Sequence, residues 1–249
     1  MNFGKCVTAA LLVAACAAAV ARAETMSEQA DREYRSGNFE EAISLYREMA
    51  RQEPHNPFHY YNLGNAYYKT ARTGRGVANY YRAFELLPRN ADIRHNLAFA
   101  LNTTGGKLIP EGMPEGIFVL FHYFSAIELK GLTVVCLWLT LLFLAAMTAA
   151  PAMRKYLRGI TMSSAVLALV FGGWAYARKQ ADLQNPAVVI DGIAEIRTGP
   201  GENFTAAATV PEGHVLEVLS ETDGWAEVGL KKEGVKGWVQ KKFIEPAGL

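Results

Sequence analysis

Tyr60-Tyr61-Asn62-Leu63-Gly64-Asn65-Ala66-Tyr67-Tyr68-Lys69 is the stretch on which the fold of this chain turns. Bulky and small residues recur in it at helical spacing. Further along, Tyr80, Ala83 and Pro88 hold the positions that Tyr46, Met49 and Pro54 hold 34 residues earlier. A period of that length marks a two-helix unit that buries its apolar face only by stacking on a copy of itself. Stacked hairpins present a concave face to a partner and rarely carry chemistry.

The periodic region runs from Met26 to about Asn102. Its framework residues resemble the tetratricopeptide (TPR) repeat: Ala30, Tyr34, Gly37, Phe39, Ala42, Tyr46 and Pro54 in the first unit. Small Ala30 and Ala42 let paired helices approach, Gly37-Asn38 makes the turn, and Pro54 ends the second helix. In the second unit Ala71 replaces the turn glycine while Gly74 and Gly76 come later, so a displaced turn is expected. The third unit starts at Ile93, Asn96, Leu97 and Leu101 and lacks its second helix. About three repeats are needed for a stable stack, so the open end calls for a cover: a partner, a second copy or the membrane-proximal segment. Charge is divided. Residues 24–54 carry eight acids and four bases, and residues 55–107 carry two acids and seven bases. That is either a solvated face or a polar groove for an acidic partner. The inward positions that clamp a C-terminal carboxylate in some TPR domains fall on Ser27, Asp31, Tyr61, His95 and Phe99, with only Asn65 fitting that pattern. Tyr61, Asn65, Tyr68 and Lys69 share the inward side of one helix and are the candidate partner-binding residues, although Tyr68 has an equal claim to pack on the next repeat.

Ahead of the repeats, Lys5, an Ala/Val/Leu run and Ala21-Arg22-Ala23 read as a secretory signal over residues 1–23. Val13-Ala14-Ala15-Cys16 also fits a lipobox, with a lipid on Cys16 as the alternative. Cys6 and Cys16 lie in this segment and Cys136 in an apolar helix, so the exported parts contain no thiol. Neither a soluble disulfide nor a thiol metal site can form.

After a Gly/Pro-containing loop at 103–116, residues 117–129 are apolar and aromatic but include His122 and Glu128, which suggests one interfacial helix. Residues 131–150 hold nine Leu, Val or Phe residues and no charge. That is long enough to span a bilayer and favours insertion by roughly 3–5 kcal/mol. Residues 160–177 form a second span, with Ser164, Ala168 and Gly172 as a small-residue stripe suited to packing on the first. The connecting 151–159 loop carries Arg154, Lys155 and Arg158 and no acid, so it is expected on the cytoplasmic side. Together with the signal, this places the TPR domain (24–105) and the C-terminal domain (186–247) outside a bacterial cytoplasmic membrane that the chain crosses twice.

That last domain alternates short β-like runs with turn residues. Arg197-Thr198-Gly199-Pro200, Gly213, Trp225 and Gly237-Trp238-Val239 resemble the bacterial SH3 (SH3b) domain. Its tryptophans are either core filler of a small barrel or, with Trp225 or Phe204 as groove candidates, the wall of a peptide site. The fold class is therefore multidomain: all-α TPR hairpins, two transmembrane helices and a small all-β SH3-like barrel.

A search for chemistry in the sequence finds no catalytic set, metal site or cofactor motif. His55 and His59 straddle Pro57 and do not share a helix face as zinc ligands would; Gly74-Arg75-Gly76 lacks the strand and third glycine of a dinucleotide loop. Glu40-Glu41 suits a helix N-terminus. The formal charge of +1 gives no footprint for nucleic acid. No enzymatic activity is expected.

The order of signal, short TPR array, membrane hairpin and SH3b domain, with Asn90-Ala91-Asp92-Ile93-Arg94-His95-Asn96-Leu97 after the last full repeat, resembles the aerotolerance (Bat) family, in particular its BatE type. The resemblance implies a scaffold in a cell-envelope complex with von Willebrand factor A-domain membrane proteins, other Bat proteins and a MoxR-type ATPase. The competing expectation is a wall-binding sensor or anchor whose SH3b domain grips peptidoglycan peptides.

Overall fold

A computed structural model describes residues 25–183, 185–230 and 234–248. The expected signal and the Cys16 alternative lie outside the described residues.

Helix α1 (Met26–Arg35) opens on a capping box: the Thr25 hydroxyl accepts from the Glu28 amide, and the Glu28 carboxylate accepts from the Thr25 amide. Gly37, at φ +82°, makes the turn into α2 (Phe39–Gln52). Ala30 and Ala42 are both fully buried where the two helices meet, and the Tyr46 hydroxyl donates to Asp31 at 2.6 Å. Helix α3 (Pro57–Lys69) begins with Asn56 as cap and Pro57 in its first turn, where a missing N–H costs nothing. It pairs with α4 (Thr73–Leu86); a Cβ on Gly64 would stand 2.7 Å from the Tyr80 ring, so glycine sets this close approach. The second turn is not displaced. Ala71 itself takes the left-handed conformation at φ +59°, and Gly74 and Gly76 lie inside α4. Helix α5 (Ala91–Thr103) continues the register: Leu97 and Ala100 are buried as Leu63 and Ala66 are, 34 residues before.

The chain itself covers the open end. From α6 (Glu115–Phe121), Phe118 stacks on Phe84 with centroids 6.2 Å apart and planes 11° from parallel. The single helix expected over 117–129 is divided. Helix α6 stops at Phe121, and α7 (Ala126–Ala149) starts on a second capping box in which Ser125 pairs with Glu128. Ser-x-x-Glu is itself a start signal, so the break is local chemistry. A 3₁₀ turn (Pro151–Met153) leads into α8 (Arg154–Ala181), so the basic residues expected in a loop occupy the first turns of a helix. Ser164 and Ala168 are buried against α7, the Ser164 and Thr140 hydroxyls lie 2.9 Å apart, and a Cβ on Gly172 would just touch Thr133. Away from this seam the pair is bare: Trp138 is 68% exposed and Leu169 77% exposed. Both helices are long and apolar enough to cross a membrane, and side chains this apolar and this uncovered suit lipid rather than water.

The C-terminal part is a seven-stranded antiparallel sheet: β1 (Pro186–Val189), β2 (Ile193–Arg197), β3 (Ala206–Pro211), β4 (Val215–Thr222), β5 (Trp225–Leu230), β6 (Val235–Gln240) and β7 (Ile244–Pro246), in the order β3-β2-β6-β5-β4-β1-β7. Gly237 is required where β6 meets β2, since a Cβ there would stand 2.5 Å from the Arg197 carbonyl oxygen. The core is aliphatic, built on Val189, Ile196, Leu216, Val228 and Val239. Trp225 and Trp238 are only half-buried, so the tryptophans do not fill it.

This barrel is fastened to the repeats. Val188 and Ala247 join the core cluster of α4 and α5. Arg82 pairs with Glu245 at 2.8 Å and also donates to the Pro246 carbonyl, and the Gly74 amide donates to the Glu212 carboxylate at 2.6 Å. A Cβ on Gly74 would fall 2.2 Å from the Val189 carbonyl oxygen. Repeats and barrel therefore sit together at the end of the α7–α8 pair where α7 begins and α8 ends.

Candidate binding grooves

Four residues were singled out on α3, and the structure gives them different duties. Asn65 Oδ1 accepts from the Tyr80 hydroxyl at 2.7 Å and from Asn96 Nδ2 at 3.0 Å; Asn96 Nδ2 also reaches the Tyr61 hydroxyl at 3.2 Å. Burial, with help from neighbouring Tyr61, pushes the Tyr80 phenol up, so it stays a donor at any working pH. This strut ties α3, α4 and α5 together. It uses the Tyr61 hydroxyl and the Asn65 oxygen on the chain's own architecture, and Tyr61 packs at 6.1 Å from Tyr80.

Beside the strut lies a groove of about 300 Å³ lined by Tyr34, Asn65, Tyr68, Lys69, Tyr80, Asn96 and Phe99. Tyr61 is not part of its wall. Tyr68 does meet the next repeat, edge-on against Phe99 at 5.9 Å, yet stays half-buried and keeps a groove face. Phe99 is 55% exposed. Among the described residues, the Lys69 ammonium and the Tyr68 hydroxyl make no hydrogen bond or ion pair. The groove thus offers an exposed and a half-buried aromatic ring, a free phenol hydroxyl and one uncommitted positive charge, the composition of a protein-recognition hot spot. Phe99 stands 34 residues after Asn65 and is one of the inward positions of the repeat, although it is not among the candidate partner-binding residues named from the sequence.

The second groove is on the barrel. It encloses about 410 Å³ and is lined by Ile193, Glu195, Arg197, Glu202, Trp225, Gln240, Lys242 and Phe243. Arg197 is locked there: it pairs with Glu195 at 2.5 Å and donates to the Glu202 and Phe204 carbonyls at 2.8 and 2.6 Å. Trp225 forms part of this wall. Phe204 does not. Its ring lies over Gly199 and Gly201, where a Cβ on Gly199 would stand 2.5 Å from it, and it shapes the loop between β2 and β3. The structure therefore separates the two sequence candidates. Glu195, Glu202 and Lys242 give the groove charges of both signs beside an aromatic face. Among the described residues no group of three or more His, Cys, Asp or Glu is placed to hold a metal ion.

The TPR repeat family model matches residues 30–70, and the bacterial SH3 domain family model matches residues 193–245. No curated protein matches the chain. The protein thus joins a TPR array and a bacterial SH3 domain, two kinds of binding module, through a pair of helices suited to a membrane.

Proposed function

We propose that this protein is a membrane-anchored scaffold that holds a partner protein in its TPR groove and has no catalytic role. The groove at Tyr68, Lys69 and Phe99 carries this reading: the Lys69 ammonium and the Tyr68 hydroxyl are uncommitted and the Phe99 ring is exposed, beside a strut of Asn65, Tyr80 and Asn96 that holds the groove in shape. The likeness to the Bat family extends the proposal to a cell-envelope complex linked to stress tolerance, with von Willebrand factor A-domain membrane proteins, other Bat proteins and a MoxR-type ATPase as partners. Both soluble domains are assigned to the outer side of the membrane. Their direct contact supports a shared side, and the basic start of α8 supports its direction. The test is Lys69→Glu combined with Phe99→Ala in the full-length protein, with co-purification from membranes in mild detergent. Both residues are exposed, so folding is retained. Loss of a partner is the expected result; retention of every partner moves the binding role away from the repeats.

A second reading rests on the barrel. Trp225 beside acidic and basic side chains suits a short peptide bearing both charges, as in peptidoglycan stems. Retention of the protein on purified wall material, abolished by Trp225→Ala, supports it, and no retention rejects it.

A further inference from the structure

A third cavity, of about 390 Å³, lies where repeats, membrane-proximal segment and barrel meet. Its walls are mostly apolar, with Phe84, Leu101, Phe118, Phe121 and Leu230 among them. Ligand pockets occupy about 300–1,000 Å³ and pair such walls with a few polar groups. Here three of the polar groups lack hydrogen-bond partners among the described residues. The Glu85 carboxyl and the Tyr81 hydroxyl line the cavity and make no hydrogen bond among the described residues. His214 lines it too, and its Nδ1 is buried without a partner. Burial holds the Glu85 carboxyl above the usual carboxylate range, with the nearby Asp182 charge adding to it. Of the three, His214 Nδ1 is fully buried, and a buried polar atom without a partner is costly unless something fills the space beside it.

The surroundings define the occupant. The far wall carries an ion network: Asp182 takes Arg178 at 2.8 Å and His122 at 3.3 Å, and Arg178 Nη2 is left buried without a hydrogen-bond partner. Lys107, also in the wall, is paired with Glu111 at 2.9 Å. Both signs of charge are thus present, and a charged head group would meet its like at one side or the other. The cavity lies at the end of α7 and α8, at the level where Trp174 donates to the Phe121 carbonyl at 3.0 Å. Helix α6 separates it from the outside, with Phe118 and Phe121 facing in and Ile117 and Leu120 57% and 66% exposed on its other side. A short helix with one apolar face outward beside two spans suits the bilayer interface.

We infer that this cavity binds a single-chain amphiphile with an uncharged, hydroxyl-bearing head, taken from the adjoining leaflet, its head hydrogen-bonded to Glu85, Tyr81 and His214 and its chain along Phe84 and Phe118. The source rests on the membrane reading above; the cavity does not.

The test uses the full-length protein in phosphatidylcholine nanodiscs with three diazirine-tagged probes of equal chain length: a monoacylglycerol, the fatty acid and the alkylammonium. Cross-linked sites are mapped by mass spectrometry. Saturable labelling of residues 81–85 and 105–113 by the monoacylglycerol, displaced by its untagged form, is expected. Ala181→Trp fills the cavity from an exposed position and should lower that labelling about tenfold, the equivalent of 1.4 kcal/mol. Glu85→Leu should remove the preference among the three heads while leaving the melting transition in place. Labelling that does not saturate, that spreads over the lipid faces of α7 and α8, or that ignores both variants overturns the inference, as does a preference for either charged probe. Recovery of the protein outside the discs overturns membrane anchoring alone, and the same probes in water then decide the cavity.

Discussion

Gly74→Ala should pull the barrel off the repeats. The added methyl would stand 2.2 Å from the Val189 carbonyl oxygen and 2.8 Å from Ile190 Cα, where ordinary contact begins at 3.4 Å. Backbone cannot swing aside as a side-chain tip can, so β1 must retreat by about 1 Å, which a close-packed contact resists. Retreat uncovers Val188, buried completely in the wild type, and stretches the Arg82–Glu245 pair. Full burial of a valine contributes about 1.5–3 kcal/mol. In the other direction, alanine improves the helix by at most about 1 kcal/mol. With the loosened ion pair included, docking should weaken by roughly 2 kcal/mol, equivalent to about thirtyfold in an opening equilibrium. Hydrogen–deuterium exchange on the full-length protein reads this directly, as faster exchange in β1 and in the first turns of α4 with α1 and α2 unchanged. A variant that exchanges like the wild type, or one stabilised by the helix-propensity gain alone, would refute this account of the interface.

Ala42→Trp should unfold the array, because position 42 is fully buried where α1 meets α2 and overpacking such a site costs about 1–3 kcal/mol or more; an unchanged melting curve would show the packing to be wrong. Single cysteines at Ser36, Lys155 and Asp223 should report topology in intact spheroplasts, with positions 36 and 223 labelled from outside and position 155 protected; any other pattern rejects the proposed orientation. Glu85→Gln should stabilise the protein at pH 7 by about 1 kcal/mol, the low end of the cost of a buried polar group without a partner. The native carboxyl binds its proton more readily than the unfolded one, so the wild type loses stability as pH rises through that raised range. The advantage of the variant should therefore vanish near pH 4, and a gain that persists in acid would point to a different cause.

Where the sequence was informative, local chemistry and tertiary packing agreed. The 34-residue period marked Ala30, Ala42 and Leu97 as framework positions, and all three are buried, because hairpin stacking is a near-neighbour affair. Strands β1, β2, β4, β5 and β6 were visible in part, as turn-bounded runs of branched and aromatic residues. Strand β3 was missed because it reads Ala206-Ala207-Ala208-Thr209-Val210-Pro211, with Val210 alone buried and no alternation to detect. Strand β7 is three residues long, below the length at which a period can be seen. Gly74 resembled a misplaced turn residue because its reason lies in a strand more than a hundred positions away. The same distance hid the junction cavity, whose polar groups come from α4 and from the turn before β4. In the TPR groove the period brought Asn65, Tyr68 and Lys69 to one wall, but it could not tell that the Asn65 oxygen would be taken by Tyr80 and Asn96.

The way α5 is sealed has a consequence for growth by stacking. A solenoid lengthens at a bare end, and here Phe118, Val188 and Ala247 occupy one of the two. Among the described residues the other end is α1, whose outer face is polar, with Ser27, Glu28, Arg32 and Arg35 exposed, so growth there would have to be through polar contacts. Two copies meeting through that end would form a self-complementary pair with nothing left to add. In the terms of polymer chemistry the sealed α5 end is a chain stopper: no further hairpin can add to the stack there.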